Sequence, residues 1–150
     1  MYQVALYVHI ICAVIWVGGA LYAQLLSIRV ARSDDPMELV RLGRNIEYIG
    51  MRVFMPAATL LFIAGVIMTI QAWSFGQVWV AVSVALWILS AALGALYLGP
   101  RTKRVSALFD AEGPESAAGR QLIGQLFFVS RLELLSFAVI IALMVFKPGS

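Results

Sequence analysis

The stretch VFMPAATLLFIAGVIMTIQAWSFGQVWVAVSVALWILSAALGALYL, residues 53–98, decides the fold. Two apolar runs, Val53 to Ala72 and Val78 to Leu98, flank the short turn WSFGQ, which carries no charge. Each run is close to the ~20 residues an α-helix needs to cross the hydrocarbon core of a bilayer, so the stretch reads as a transmembrane helical hairpin. Two further runs of the same kind, Val4 to Leu26 and Leu126 to Phe146, lie on either side of it. Four spans leave nothing for a soluble domain, and residues 1–150 form a single integral membrane domain: all-α, a four-transmembrane-helix bundle. Composition agrees, with 62% hydrophobic residues, 13% charged residues and a mean hydropathy of +0.91. Soluble domains carry roughly a quarter charged residues. The first run is no signal peptide by its pattern, because MYQ supplies no basic n-region, the apolar run is too long and no A-x-A site follows.

A formal charge of +3 and a pI near 9.4 would suit an acidic partner such as nucleic acid in a soluble protein. In a membrane protein the distribution of cations matters more, and it points to no nucleic-acid partner. Arg29, Arg32, Arg41, Arg44, Arg52, Arg101, Lys103, Arg104 and Arg120 fall in the two long connections, 27–52 and 99–121, whereas Lys147 is the one cation expected on the opposite side. The positive-inside rule puts both long connections in the cytoplasm and both termini outside. Tyr2, Trp73 and Trp79 then sit at the outer headgroup level, where amphipathic rings are enriched. Asp35 before Pro36 makes an N-cap and N1 pair, and Leu39, Val40, Ile46 and Ile49 recur at roughly helical spacing, so the first connection should be a helical extension running into the second span. Pro114 should open a similar extension of the fourth span. Pro56 should bend the second helix, and Ser90 with Gly94 and Ala91 with Ala95 set a small-xxx-small pattern that favours close packing of the third.

His9 is the only histidine and Cys12 the only cysteine. A single cysteine makes no internal disulfide and no thiolate zinc site. His9 lies about five residues into the first apolar run, so ~8 Å deep. It shares a helix face with Ala13, Trp16, Ala20 and Ala23, and this mostly small-residue stripe points the imidazole into the bundle, away from lipid. Two interpretations stay open. An ionisable group inside a membrane is by default a functional candidate, and imidazole is a common metal or haem ligand; alternatively the ring is hydrogen-bonded to a neighbouring helix. A second axial ligand would have to be something other than histidine. Met68 and Met144 fall at a suitable depth, although methionine also fills gaps in helical cores. On the inner side Arg131 and Glu133 are two apart on one helix and cannot pair with each other. Glu133 should meet a cation such as Arg52 or Arg101, while Arg131 reaches the headgroups.

The blocks HIICAVIWVGGALYAQLL, GRNIEYIGMRVFMPAATLLFIAGVIM and MVFKPG, which together cover nearly the whole chain, resemble an uncharacterised bacterial family of four-helix integral membrane proteins, a domain of unknown function. That family is similar in design to the copper-resistance protein D group and to the haem-binding J-type protoporphyrinogen oxidases, which also begin with a helix-one histidine before a Trp and small residues. The resemblance implies that His9 is the axial ligand of haem b, in a bacterial inner (plasma) membrane. No P-loop, GxSxG, HExxH or dinucleotide fingerprint is present, so soluble-type hydrolase and kinase chemistry is excluded. The expected function is a haem b protein in electron transfer or haem handling, with a membrane oxidoreductase as one form of it. Its cofactor-binding residues are His9, Trp16, Met68 and Met144, the metal is held by His9 and no catalytic residue is assigned. The alternatives are a cofactor-free accessory subunit of a larger membrane complex or homo-oligomer, sensitive to bulk at Gly19 or Gly94, and copper transport through His9, Cys12 and the methionines. The lipid bilayer is the surrounding partner in each case.

Overall fold

The computed structural model of the protein describes residues 1–149. Among them six α-helices form four rods: α1 Tyr2–Val30, α2 Pro36–Ile49, α3 Met55–Ala72, α4 Val78–Ala92, α5 Gly99–Glu112 and α6 Ala117–Phe146. α2 runs into α3 and α4 runs into α5 through short π-helical segments, Gly50–Phe54 and Leu93–Leu98. The four rods, Tyr2–Val30, Pro36–Ala72, Val78–Glu112 and Ala117–Phe146, are each long and apolar enough to cross a membrane.

The π segments follow from two prolines. Pro56 and Pro100 have no N–H, so the carbonyls four residues before them lose their ordinary donors. In both rods the backbone widens just before the proline: Met55 donates to the carbonyl of Gly50, and Gly99 to that of Gly94. In hydrocarbon there is no water to satisfy a freed carbonyl, and a local π adjustment is one of the few remedies. The bend expected at Pro56 is thus a π segment placed ahead of it. Threonine hydroxyls work in the same direction, with Thr59 donating to Met55 O at 2.9 Å, Thr69 to Gly65 O at 2.9 Å and Thr102 to Leu98 O at 2.8 Å.

The extension expected from Asp35 and Pro36 is present, and the Asp35 side chain accepts from Met37 N at 2.9 Å. Two sequence expectations need correction. The third span does not end at Leu98 but continues as α5 to Glu112, because Pro100 is accommodated in its first turn. Pro114 does not open α6; it stands in the turn after Gly113, and Ser116 is the cap, its hydroxyl accepting from Gly119 N at 3.0 Å. Gly94, in the π segment after α4, faces open space, so the small-xxx-small pattern of the third span makes no close contact there.

The two extensions and the start of α6 close a core at the basic end of the bundle from Val40, Val105, Phe109, Ile123 and Leu126. Arg44 pairs with Asp110, and Ser106 donates to Glu47 at 2.7 Å, tying α2 to α5. Gly119 gives Phe109 its space: a Cβ there would stand 2.8 Å from the ring. Within the spans the pattern is different. Val4, Tyr7, Ile10 and Val14 on α1, and Leu132, Leu135 and Val139 on α6, are exposed outward, as a lipid-facing surface requires.

Phe109→Ala, which empties a site only 4% exposed, should cost about 3–5 kcal/mol. Phe146→Ala, at a lipid-facing position 80% exposed, should change stability by no more than about 0.5 kcal/mol. Denaturant titration of the protein in micelles checks this, and equal midpoints for the two variants would contradict the basic-end core.

Candidate functional site

At the other end, which carries aromatic rings instead of cations, the ends of all four rods converge on Trp73. Its indole N–H donates to the Tyr2 hydroxyl at 3.5 Å, its ring meets Trp79 edge-on at 5.3 Å between centroids, and the Lys147 ammonium lies 4.1 Å from its centroid. Tyr2 begins α1, Trp73 caps α3, Trp79 is in the first turn of α4 and Lys147 caps α6. Trp79 is not only a headgroup anchor, as its sequence position suggested, because it is 7% exposed.

With the rod ends level, depth can be counted by helical rise. His9 lies seven residues beyond Tyr2 and Gly65 seven before Ala72, each about 10 Å below the aromatic end. The two are in contact: a Cβ on Gly65 would meet His9 Cε1 at 3.2 Å. His9 is 9% exposed and faces into the bundle, as the small-residue stripe predicts; the buried row on α1 is Ala5, His9, Cys12, Gln24 and Ser27. Its Nδ1 is 2.9 Å from the carbonyl oxygen of Leu61, its only hydrogen-bond partner among the described residues. A carbonyl can only accept, so Nδ1 carries the proton and Nε2 keeps its lone pair. A backbone carbonyl held on Nδ1–H is the usual support for an imidazole that ligates through its other nitrogen. The same bond also serves a purely structural role, clamping α1 to α3.

Trp16 is half-buried and packs on the cluster of Cys12, Ala57 and Leu61, with its ring 4.6 Å from that of Phe137 on α6. Met68 is half-buried on the α3 row of Leu61 and Gly65, and Met144 half-buried on the α6 row of Phe137. The partner that the structure gives the His9 ring is the Leu61 carbonyl, not a thioether. Cys12 is enclosed against Ala57 and Leu61. Among the described residues no group of three or more His, Cys, Asp or Glu side chains is placed to hold a metal ion.

A row on α4 went unnoticed in the sequence. Trp79 Nε1, Ser83 Oγ and Trp87 Nε1 are buried and have no hydrogen-bond partner among the described residues. Their spacing of four puts them on one helix face, a signal present in the sequence but masked when the tryptophans are taken only as anchors and fillers. Trp87 also stacks on Phe62, with centroids 4.1 Å apart and rings 16° from parallel.

Toward the basic end, Arg131 donates from Nε to Gln24 Oε1 at 3.2 Å, and the Gln24 amide donates to Phe127 O at 3.0 Å. The cation therefore orients the glutamine that joins α1 to α6. Glu133 meets neither Arg52 nor Arg101, contrary to expectation. Arg52 lies over the Tyr48 ring and Arg101 over the Tyr97 ring, and the ion pairs among the described residues are Arg44–Asp110 and Arg120–Glu115.

Because His9 is the only histidine, nitrogen NMR of histidine-labelled protein in micelles reads one ring. The expected spectrum has a protonated Nδ1 and a bare Nε2, and Gly65→Leu should disturb it by displacing the ring from Leu61. The opposite tautomer in the wild type would remove the geometry described above.

Residues 3–148 match the family DUF2269, described as a predicted integral membrane protein, and the chain belongs to that family. No curated protein and no solved structure matches it.

Proposed function

We propose that this DUF2269 protein binds haem b through His9 in the aromatic half of its bundle and serves electron transfer or haem handling, in a bacterial inner membrane with its basic connections inside and both termini outside. The observation that carries the proposal is the bond between His9 Nδ1 and the Leu61 carbonyl. It fixes the tautomer and leaves Nε2 as a lone-pair donor in an apolar, aromatic setting, which suits the chemistry of a haem ligand. Met68 and Met144 are the candidate second ligands, each half-buried on an inward-facing row. Haem b would supply one-electron cycling of its iron. The chain's own residues hold the imidazole at a set angle, exclude water from it and keep it away from lipid. The Trp16 and Phe137 rings are in contact in this half of the bundle, so a macrocycle on His9 would need them to separate.

That same pair favours a second reading, a cofactor-free accessory subunit in which His9 only clamps two helices. Gly19 fits this reading, since its face lies directly on the Phe54 ring and an added Cβ would have to displace that ring; Gly94 does not. Copper transport has less support, because among the described residues no group of three or more His, Cys, Asp or Glu side chains is placed to hold a metal ion.

The reduced-minus-oxidised spectrum of protein purified from haem-sufficient cells separates the readings. Haem binding predicts Soret and α bands that His9→Asn abolishes while the fold survives, because an Asn amide can still donate to the Leu61 carbonyl. Met68→Leu or Met144→Leu should shift the bands if the thioether ligates. No chromophore in the wild type, or one that His9→Asn leaves unchanged, would overturn the proposal.

A further inference from the structure

We infer that Trp79 Nε1, Ser83 Oγ and the Lys147 ammonium form the carboxylate-binding end of the His9 site, holding a porphyrin by its propionates at the aromatic end of the bundle. The inference rests on the haem reading above and adds to it an orientation and a requirement for free carboxylates.

The first argument is chemical. Trp79 and Ser83 are 7% and 5% exposed, and their polar atoms have no partner among the described residues. An indole N–H can only donate, so the group that satisfies Trp79 must be a hydrogen-bond acceptor, and neither a cation nor a purely apolar ligand will serve. Leaving such groups unsatisfied away from water is unfavourable, and the two of the α4 row nearest the aromatic end, at i and i+4 on one face, match a ligand that presents more than one acceptor oxygen.

The second argument is electrostatic. Lys147 is the one cationic side chain at this end among the described residues, and all eight acidic side chains lie elsewhere in the chain. It takes part in neither ion pair found among the described residues. Its ammonium is held over two rings, 4.1 Å from the Trp73 centroid and 5.8 Å from that of Trp79. Residue 147 adopts a left-handed backbone, φ 43°, the only described non-glycine residue that does so, and this turn ends α6 over the aromatic cluster. A cation in no ion pair among the described residues, next to a buried indole donor, is a setting for an anion, since charge-assisted hydrogen bonds to a carboxylate are the strong ones.

The third argument is position. By helical rise Trp79 and Ser83 lie about 1.5 and 8 Å below the aromatic end, and His9 about 10 Å. The donors therefore occupy the interval between the depth of His9 and the aqueous surface. A porphyrin carries its two carboxylates on one edge, and the aromatic end, the one nearer His9, offers that edge both donors and a cation.

The test compares haem b with haem b dimethyl ester, titrated by Soret absorbance into haem-free protein in micelles. The wild type should bind the diacid at least about tenfold more tightly than the diester. Ser83→Ala, Trp79→Phe and Lys147→Gln should each erode that preference several-fold, lowering diacid affinity more than that of the diester, whose oxygens still accept but carry no charge; a loss of fold would lower both alike. Equal binding of diacid and diester overturns the inference and leaves the haem function standing, as does a preference that survives all three substitutions. Failure of both porphyrins to bind the wild type overturns the haem reading, and this inference with it.

Discussion

Hydrocarbon offers no hydrogen bonds, and almost every irregular feature of this protein is an answer to that constraint. Two prolines interrupt the rods, and before each one the helix widens so that a carbonyl finds a donor five residues on. Threonines return their hydroxyls to their own helix. Gln24 commits its amide to Phe127 and its carbonyl to Arg131, joining α1 to α6. His9 commits one nitrogen to Leu61 and joins α1 to α3. Outside the bilayer the logic reverses. The basic end is held by a conventional apolar core under exposed ion pairs, because there water satisfies the surface and only burial of Val105, Phe109 and their neighbours favours folding.

The four spans were legible because a run of about 20 apolar residues with hardly a charge in it suits little besides a bilayer, and the Asp35–Pro36 start of α2 because capping chemistry is local. The inward direction of His9 was legible from its small-residue neighbours. The continuation of α5 was not, since Pro100 reads as a stop unless the π segment ahead of it is known, and that segment depends on the need to satisfy a carbonyl rather than on any local preference. Gly65 carried no usable signal: a glycine in an apolar span marks closeness to something, and only the tertiary structure says that the neighbour is the His9 ring. The partner itself, the carbonyl of Leu61, is backbone and has no sequence signature at all. Charges in a bilayer pair, a rule that points Glu133 to a cation partner, yet Arg52 and Arg101 are drawn instead onto tyrosine faces.

The bundle is not uniformly knit, and this bears on how a ligand could enter. α1 packs most extensively on α3, where His9, Gly65, Gly19 and Phe54 interlock, and α4 packs mainly on α6. Contact between α3 and α4 is slight despite the short turn that joins them. The seam between the two pairs is closed by aromatic contacts, Trp16 on Phe137 and Trp87 on Phe62, and at its mouth by the Trp73, Trp79 and Lys147 cluster. Ring contacts of this kind are worth about 0.5–1.5 kcal/mol beyond the area they bury, while the hydrogen bonds that cross the seam, from Gln24 to Phe127 and Arg131, lie toward the basic end. The His9 imidazole is fixed on the α1–α3 side and the unpartnered donors are on α4, so the proposed haem site requires the seam between them to open.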